Sequence, residues 1–179
     1  MRVFLNRKHL NKALYKIQVE LEALGLRTVQ ETEVFLTLFG WHYGYYQPDT
    51  AGKPGHIEIP AISYARLVAR ITGTKSPLSH ILRHEYGHAL AYQNRKLVLS
   101  KEFRFAFGAP HEKEIGIVYS PLEHLSEYAA YRPYEDFAET FAIYLKKKGE
   151  LPERYRTEKL LKKWEFVRYF CHCVASRST

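Results

Sequence analysis

One short string in the sequence has residue types and spacing that suit metal-dependent hydrolysis. His84 and His88 enclose Glu85 in the pattern H-E-x-x-H. If this segment is helical, histidines four positions apart lie on one face, one turn above the other. Their imidazole nitrogens can then converge on one ion at about 2.0–2.1 Å, the distance that zinc requires of histidine. Glu85 would lie on the adjoining flank, where it can act as the general base towards water.

A third histidine complicates the choice of the ligand pair. His80, His84 and His88 follow one another at four-residue steps, so His80 and His84 could also form a pair. Only His84 and His88 enclose a glutamate in the position of the base. We therefore favour His84 and His88 and keep His80 as the alternative.

The surrounding stretch predicts an amphipathic helix that ends near Asn94. Ser76 is a favourable N-cap, and Pro77 suits the first helical position because its missing N–H would be unpaired there. Gly87 is unfavourable inside a helix by about 1 kcal/mol relative to alanine. We expect close packing at Gly87 to offset this cost. The apolar positions recur at intervals of three and four residues, at Leu78, Ile81, Leu82, Ala89 and Leu90.

A catalytic zinc site needs three protein ligands and one open position. The chain has Ala91 and Asn94 where a metzincin would have glycine and histidine, so that class is excluded. The third ligand must come from farther along the chain. A second predicted helix follows Pro133 and runs to the lysines at 146–148; its acidic residues are Glu135, Asp136 and Glu139.

Glu135 and Glu139 are one helical turn apart and share one face. One of them can bind the metal while the other accepts a hydrogen bond from the far nitrogen of a ligand histidine. Acidic residues also favour the first turn of any helix because of its dipole. This explains Glu135 and Asp136 well and Glu139 less well.

The combined pattern resembles the gluzincin metallopeptidases related to the anthrax lethal factor catalytic domain. The resemblance covers roughly residues 56–145 and rests on three strings, at 84–88 (HEYGH), 126–129 (SEYA) and 135–139 (EDFAE). It implies that Glu135 is the third zinc ligand and that Glu139 is its outer partner. It also implies that Tyr128, seven residues before Glu135, helps to stabilise the transition state. Asp136 and Glu139 stay open as alternative ligands, and the resemblance does not specify the substrate.

Around this site we expect one α+β, zincin-like domain spanning residues 1–179, with its core at 28–148. The predicted elements are a helix at 7–24, a buried strand at 34–39, an extended segment at 41–47, a turn at 48–55, a strand at 56–60, a short helix at 63–71 and a basic helix at about 153–171. The two segments flanking the turn predict a hairpin in a small mixed sheet packed on the metal-binding helix. The strand before that helix is a place where an extended peptide substrate could add by β-augmentation.

The formal net charge of +8 is concentrated near the C-terminus. The segment from Lys146 onward contains ten basic and four acidic residues, which contributes +6 of the formal net charge. A basic face can bind an acidic protein, nucleic acid or an anionic membrane. No nucleic-acid motif accompanies the charge, so we favour the solvated side of an amphipathic helix. Its apolar stripe is Leu160, Leu161, Trp164, Val167 and Phe170, opposite Lys159, Lys162, Lys163 and Arg168.

The remaining features bear on cellular location and on other metal sites. The first nine residues lack a signal-peptide core, and no apolar run has the length of a membrane span. Cys171 and Cys173 are predicted to be free thiols, and no further cysteine completes a metal site with His172. We expect a cytoplasmic protein, with leaderless export left open.

The sequence therefore leads to two functional hypotheses. The first is a zinc-dependent peptidase acting on a peptide or protein substrate, with Glu85 as the base and Tyr128 as a transition-state donor. This scheme does not need His111 or His124, although His124, four residues before Tyr128, is a second candidate donor. The alternative is an interaction or regulatory module of the same fold, with or without zinc, that acts through its basic C-terminal face.

Overall fold

A computed structural model of the chain describes residues 4–27, 31–49, 54–74, 76–114 and 118–177. Within these ranges the chain combines seven α-helices with a three-stranded sheet, which confirms the predicted α+β class. Residues 50–53 of the predicted turn at 48–55 and residues 28–30 of the predicted core lie outside the described ranges. The elements in chain order are α1 (Arg7–Ala23), β1 (Glu33–Gly40), β2 (Tyr45–Gln47), β3 (His56–Ser63), α2 (Tyr64–Thr72), α3 (Leu78–Gln93), α4 (Arg95–Val98), α5 (Lys101–Phe107), α6 (Pro133–Lys146), a 3₁₀ turn (Glu153–Tyr155) and α7 (Glu158–Ala175).

The sheet is mixed and has the strand order β1-β3-β2. β1 runs parallel to β3, with Val34 opposite Ile57, and β2 runs antiparallel to β3, with Tyr46 opposite the same residue. The predicted hairpin is therefore confirmed. β3 is the central strand, so the expectation that the strand before the metal-binding helix offers a free edge is wrong; the edge strand beside α3 is β2.

β1 is an edge strand and not the buried strand that its apolar sequence predicts. Phe35, Leu38 and Phe39 are all exposed. Only the alternate residues Val34 and Leu36 pack against the core. A β-rich apolar run gives the strand but not its place in the sheet, because that place depends on which partners flank it.

The N-terminal helix α1 matches its prediction to within one residue. The Asn6 side chain caps it by accepting a hydrogen bond from the His9 N–H, and Gly25 follows its end with a φ of 72°. Arg83 of α3 holds α1 through two hydrogen bonds to the Glu20 carboxylate, at 2.7 and 2.8 Å. This bidentate pair fixes α1 against the helix that carries the H-E-x-x-H string.

Helix α3 begins one residue later than expected. Pro77 occupies the cap position, without a side-chain cap hydrogen bond, so the prediction that Ser76 caps the helix is wrong. The expected close packing at Gly87 is confirmed. A Cβ at this position would lie 3.1 Å from Cα of Ala138 and 3.2 Å from Cδ1 of Phe141, both in α6. The two helices that carry the candidate ligands therefore pack directly on each other.

The C-terminal helix α7 buries its apolar stripe against α5 and α6 of its own chain. It starts at Glu158, after the separate 3₁₀ turn, and its N-cap is Thr157. Leu161 departs from the predicted stripe because it is partly exposed. Lys163 departs from the predicted basic face because it is buried in an ion pair with Asp136. None of the helices in the described ranges is long and apolar enough to cross a membrane.

Candidate metal centre

Three side-chain atoms converge between α3 and α6. His84 Nε2 lies 2.9 Å from Glu135 Oε2, and His88 Nε2 lies 3.2 Å from the same oxygen. The two histidine nitrogens are 3.0 Å apart. Ligand atoms at about 2.0–2.1 Å from a tetrahedral ion are roughly 3.3–3.4 Å from one another. The structure thus gathers the predicted ligands His84, His88 and Glu135 into a group that could hold a metal ion.

Glu139 fixes the orientation of the first ligand histidine. Its Oε1 atom lies 2.9 Å from Nδ1 of His84. Because an ionised carboxylate only accepts hydrogen bonds, the Nδ1 atom must carry a proton. In the neutral imidazole this leaves the Nε2 lone pair facing Glu135, as metal coordination requires.

Glu135 Oε2 is buried, and within the described residues it faces His84 Nε2 and His88 Nε2. Without a proton or a metal ion between them, a buried carboxylate oxygen and a nitrogen lone pair at 2.9 Å would repel each other. A metal ion between these atoms removes that repulsion, and so does a proton on His84. Two imidazole nitrogens and one carboxylate oxygen form a donor set that zinc accepts, so the residues fit the ion that the sequence predicts.

The electrostatics of the site also favour a positive charge there. Burial alone lowers the pKa of His84, but hydrogen bonds to the Glu135 and Glu139 carboxylates raise it to about 10. Burial alone raises the pKa of both glutamates, and the neighbouring histidines more than reverse this, so both pKa values lie well below the usual range. Two ionised carboxylates therefore face one imidazole, and a proton on His84 and a metal ion would compete for that position.

Glu85 lies on the same turn of α3 as His84 and is buried, but it lines the cleft beside the candidate metal-binding atoms. Burial raises the pKa of its carboxyl group, and the charge of Glu135 adds to this rise. The two ligand histidines and the backbone of Tyr46, in the edge strand β2, act in the opposite direction. A carboxyl group with a raised pKa beside a metal site is suited to accept and return a proton.

Tyr128 reaches the site from the loop before α6. Its hydroxyl group donates a hydrogen bond to Glu135 Oε1 at 3.0 Å, and its ring centroid lies 5.6 Å from that of His84. Burial of the hydroxyl group and the nearby Glu135 raise the pKa of Tyr128 above its ordinary value. The hydroxyl group therefore stays protonated and can act as a donor at neutral pH.

The structure adds to the site Ser126, to which sequence reasoning assigned no role, and gives His80, kept above as the alternative ligand, a different place. His80 Nε2 lies 3.1 Å from Glu139 Oε1, and Ser126 Oγ donates to Glu139 Oε2 at 2.9 Å. The four-residue histidine ladder contained the signal for His80, because it places His80 and His84 on one face. His80 thus contacts the outer carboxylate and does not belong to the three converging donors.

Asp136 and His124 lie in a different cluster. Lys163 Nζ lies 2.6 Å from Asp136 Oδ2 and also donates to the Glu123 carbonyl oxygen. His124 Nε2 lies 3.9 Å from the same Asp136 oxygen. Asp136 thus faces α7, although it is adjacent in sequence to Glu135, and His124 lies beside it.

A cleft of about 1860 Å³ opens above the converging atoms. Its walls include Tyr45 and Tyr46 of β2, Tyr92 of α3, and Tyr131 and Tyr134 around the start of α6. Aromatic side chains supply large contact surfaces while keeping a polar tip. The cleft therefore offers aromatic contact surfaces with polar tips beside the candidate metal-binding atoms.

Comparison of the chain with protein-family models, with curated proteins and with solved structures finds no match.

Proposed function

We propose that the chain is a zinc-dependent peptidase of gluzincin type with a zincin-like fold. The observation that carries the proposal is the convergence of His84, His88 and Glu135, in which the buried Glu135 Oε2 lies 2.9 Å from His84 Nε2 and 3.2 Å from His88 Nε2. Three protein ligands leave a fourth position open towards the cleft, as in catalytic zinc sites. Zinc bound there supplies Lewis acidity, which lowers the pKa of water towards about 7 and polarises a carbonyl group.

Glu85 is the general base in this proposal. The raised pKa of Glu85 brings its proton affinity closer to those of the attacking water and the leaving amine, between which it transfers a proton. It takes the proton of the attacking water and returns it to the leaving amine. The buried position of its carboxylate keeps bulk water from competing for that proton.

Tyr128 is the candidate donor to the oxyanion that develops on the substrate carbonyl. Its hydroxyl group contacts Glu135, so it already lies beside a metal-binding carboxylate. The rise in its pKa keeps the donor proton in place. Donors aimed at a developing oxyanion contribute strongly because they need no reorganisation during the reaction.

The substrate we propose is an extended peptide segment. Among the described strands, β2 is the edge strand beside α3, and the outer backbone groups of β2 that Glu85 does not contact can pair with a strand laid along the cleft. The tyrosines of the walls would contact the side chains of that strand.

The test combines metal analysis with cleavage-site profiling of a denatured proteome. We expect about one zinc per chain, and cuts that disappear on treatment with a chelator and return with zinc. Glu85→Gln should keep the metal and lose the cuts, because the amide cannot accept the proton. Glu112→Gln is the matched control: Glu112 lines the same cleft but pairs with Arg95, and this variant should cut like the wild type.

The outcomes separate the hypotheses. Full activity in Glu85→Gln would refute the mechanism. Stoichiometric zinc without any cleavage by the wild type would instead favour a non-proteolytic metal-binding protein.

A further inference from the structure

Ser126 stands where the loop that carries Tyr128 meets the outer carboxylate of the metal site. Its hydroxyl group donates to Glu139 Oε2 at 2.9 Å and accepts from the Ala129 N–H at 3.1 Å. One side chain thus caps the turn that begins here and ties it to α6. A hydroxyl group can fill both roles at once because it is both donor and acceptor.

The contacts continue from Glu139 to the metal-binding atoms. Its other oxygen lies 2.9 Å from Nδ1 of His84 and 3.1 Å from Nε2 of His80. An unbroken chain of hydrogen bonds therefore runs from the Ala129 N–H through Ser126 and Glu139 to the ligand His84. The loop and the ligand are held by the same carboxylate.

Tyr128 depends on this turn for its position. Two further hydrogen bonds shape the turn, from the Ala130 N–H to the Glu127 carbonyl at 3.2 Å and from the Tyr131 N–H to the Tyr128 carbonyl at 3.1 Å. The Tyr128 residue is 55% exposed, and its ring contacts that of His84. The placement of its hydroxyl group at 3.0 Å from Glu135 therefore depends on the backbone of the turn as well as on this ring contact.

We propose that Ser126 is a positioning residue. Through its hydrogen bond to Glu139 it keeps the turn at residues 126–131, which carries Tyr128, in place beside the candidate metal-binding atoms. The inference rests on the proposed peptidase function, because only there does the position of Tyr128 affect a rate. Ser126 itself touches no predicted metal-binding atom. It acts by keeping the Tyr128 hydroxyl group where a substrate oxyanion would form.

The experiment compares Ser126→Ala, Ser126→Thr, Tyr128→Phe and the double variant Ser126→Ala/Tyr128→Phe as zinc-loaded full-length chains. Their kcat and KM are measured on a fluorogenic peptide built from a site found by cleavage profiling. Ser126→Ala should lower kcat about 10–100-fold with KM changed less than about threefold. Ser126→Thr should recover most of the rate because it keeps the hydroxyl group. In the Tyr128→Phe background Ser126→Ala should add little, since both changes act through one hydroxyl group.

A second readout does not depend on catalysis. Hydrogen exchange of the amides at 126–131 should accelerate in Ser126→Ala and stay slow in Ser79→Ala, which removes another hydroxyl group that lines the cleft. Additive losses in the double variant, or unchanged kcat and unchanged exchange in Ser126→Ala, would overturn the inference. Absence of wild-type cleavage would overturn the proposed function instead, and the exchange data would then decide whether Ser126 holds the loop.

Discussion

Gly87 and Ala138 meet at the crossing of α3 and α6, where a Cβ at position 87 would come within 3.1 Å of Cα of Ala138. The obstacle is backbone and not the flexible end of a side chain. The absence of a side chain at position 87 therefore sets how closely the helix with His84 and His88 approaches the helix with Glu135.

We predict that Gly87→Ala destabilises the protein by about 1–3 kcal/mol, although alanine improves helix propensity by about 1 kcal/mol. The separation of α3 and α6 should also weaken zinc binding. Urea unfolding and a zinc titration measure the two effects. Ser79→Ala, which changes a residue of α3 that is not fully buried, serves as the control and should be neutral or slightly stabilising. A more stable Gly87→Ala variant with unchanged metal affinity would show that the helix crossing tolerates a methyl group.

A second prediction concerns the choice of acidic ligand. Glu135→Ala should abolish stoichiometric zinc binding because it removes one of the three converging donors. Glu139→Ala should weaken binding by about 10–100-fold, since it removes only the partner of His84 Nδ1. Asp136→Asn should leave the affinity close to that of the wild type. Competition with a chromophoric chelator measures all three variants. Loss of zinc in Glu139→Ala but not in Glu135→Ala would invert the assignment, and retention in both would direct attention to Asp136.

A third prediction concerns the buried ion pair between α6 and α7. Lys163→Met leaves the Asp136 carboxylate without its cation in the core and should cost about 3–5 kcal/mol. Lys162→Met is the matched control, because Lys162 makes an i,i+4 pair with the exposed Glu158 and should cost at most about 0.5 kcal/mol. Chemical denaturation compares the two. Equal changes in the two variants would mean that the buried pair contributes no more than a surface one.

A fourth prediction follows from His111, whose ring contacts Phe103 and Phe137. Burial lowers the pKa of His111 to about 4, and its buried Nε2 atom has no hydrogen-bond partner among the residues that the structure describes. The unfolded chain binds the proton more tightly than the folded one. The stability that neutral His111 contributes is therefore complete above about pH 6.5 and lost as the pH falls towards 4.

His111→Phe should accordingly flatten the acid side of the stability profile. We expect the free energy of unfolding to exceed that of the wild type by about 1 kcal/mol at pH 5 and to change less at pH 8. The gain at pH 5 is smaller than the pKa difference between the folded and unfolded states alone would give, because the ring is partly exposed to solvent. Thermal unfolding from pH 4.5 to 8 measures the difference, with the exposed His172 changed to glutamine as the control. A difference between wild type and His111→Phe that does not vary with pH would argue against this assignment.

The sequence determined the local features of this protein. The H-E-x-x-H string is read directly from the sequence. Apolar periodicity predicts the helix that carries it, the acidic helix α6 and the apolar stripe of α7. The hairpin follows from two extended segments around a turn. These patterns involve residues near one another in the chain, where helix and strand geometry fix the relative positions of side chains.

Only the tertiary structure decided how the helices meet. Glu135 and Asp136 are neighbours in the chain, yet one faces the ligand histidines and the other faces Lys163 of α7. The association of His80 and Ser126 with Glu139 also joins residues that are far apart in the chain. Periodicity shows which face of a helix a side chain lies on. Which other element packs against that face is decided by close packing in the folded chain, here by the contact of Gly87 with Ala138.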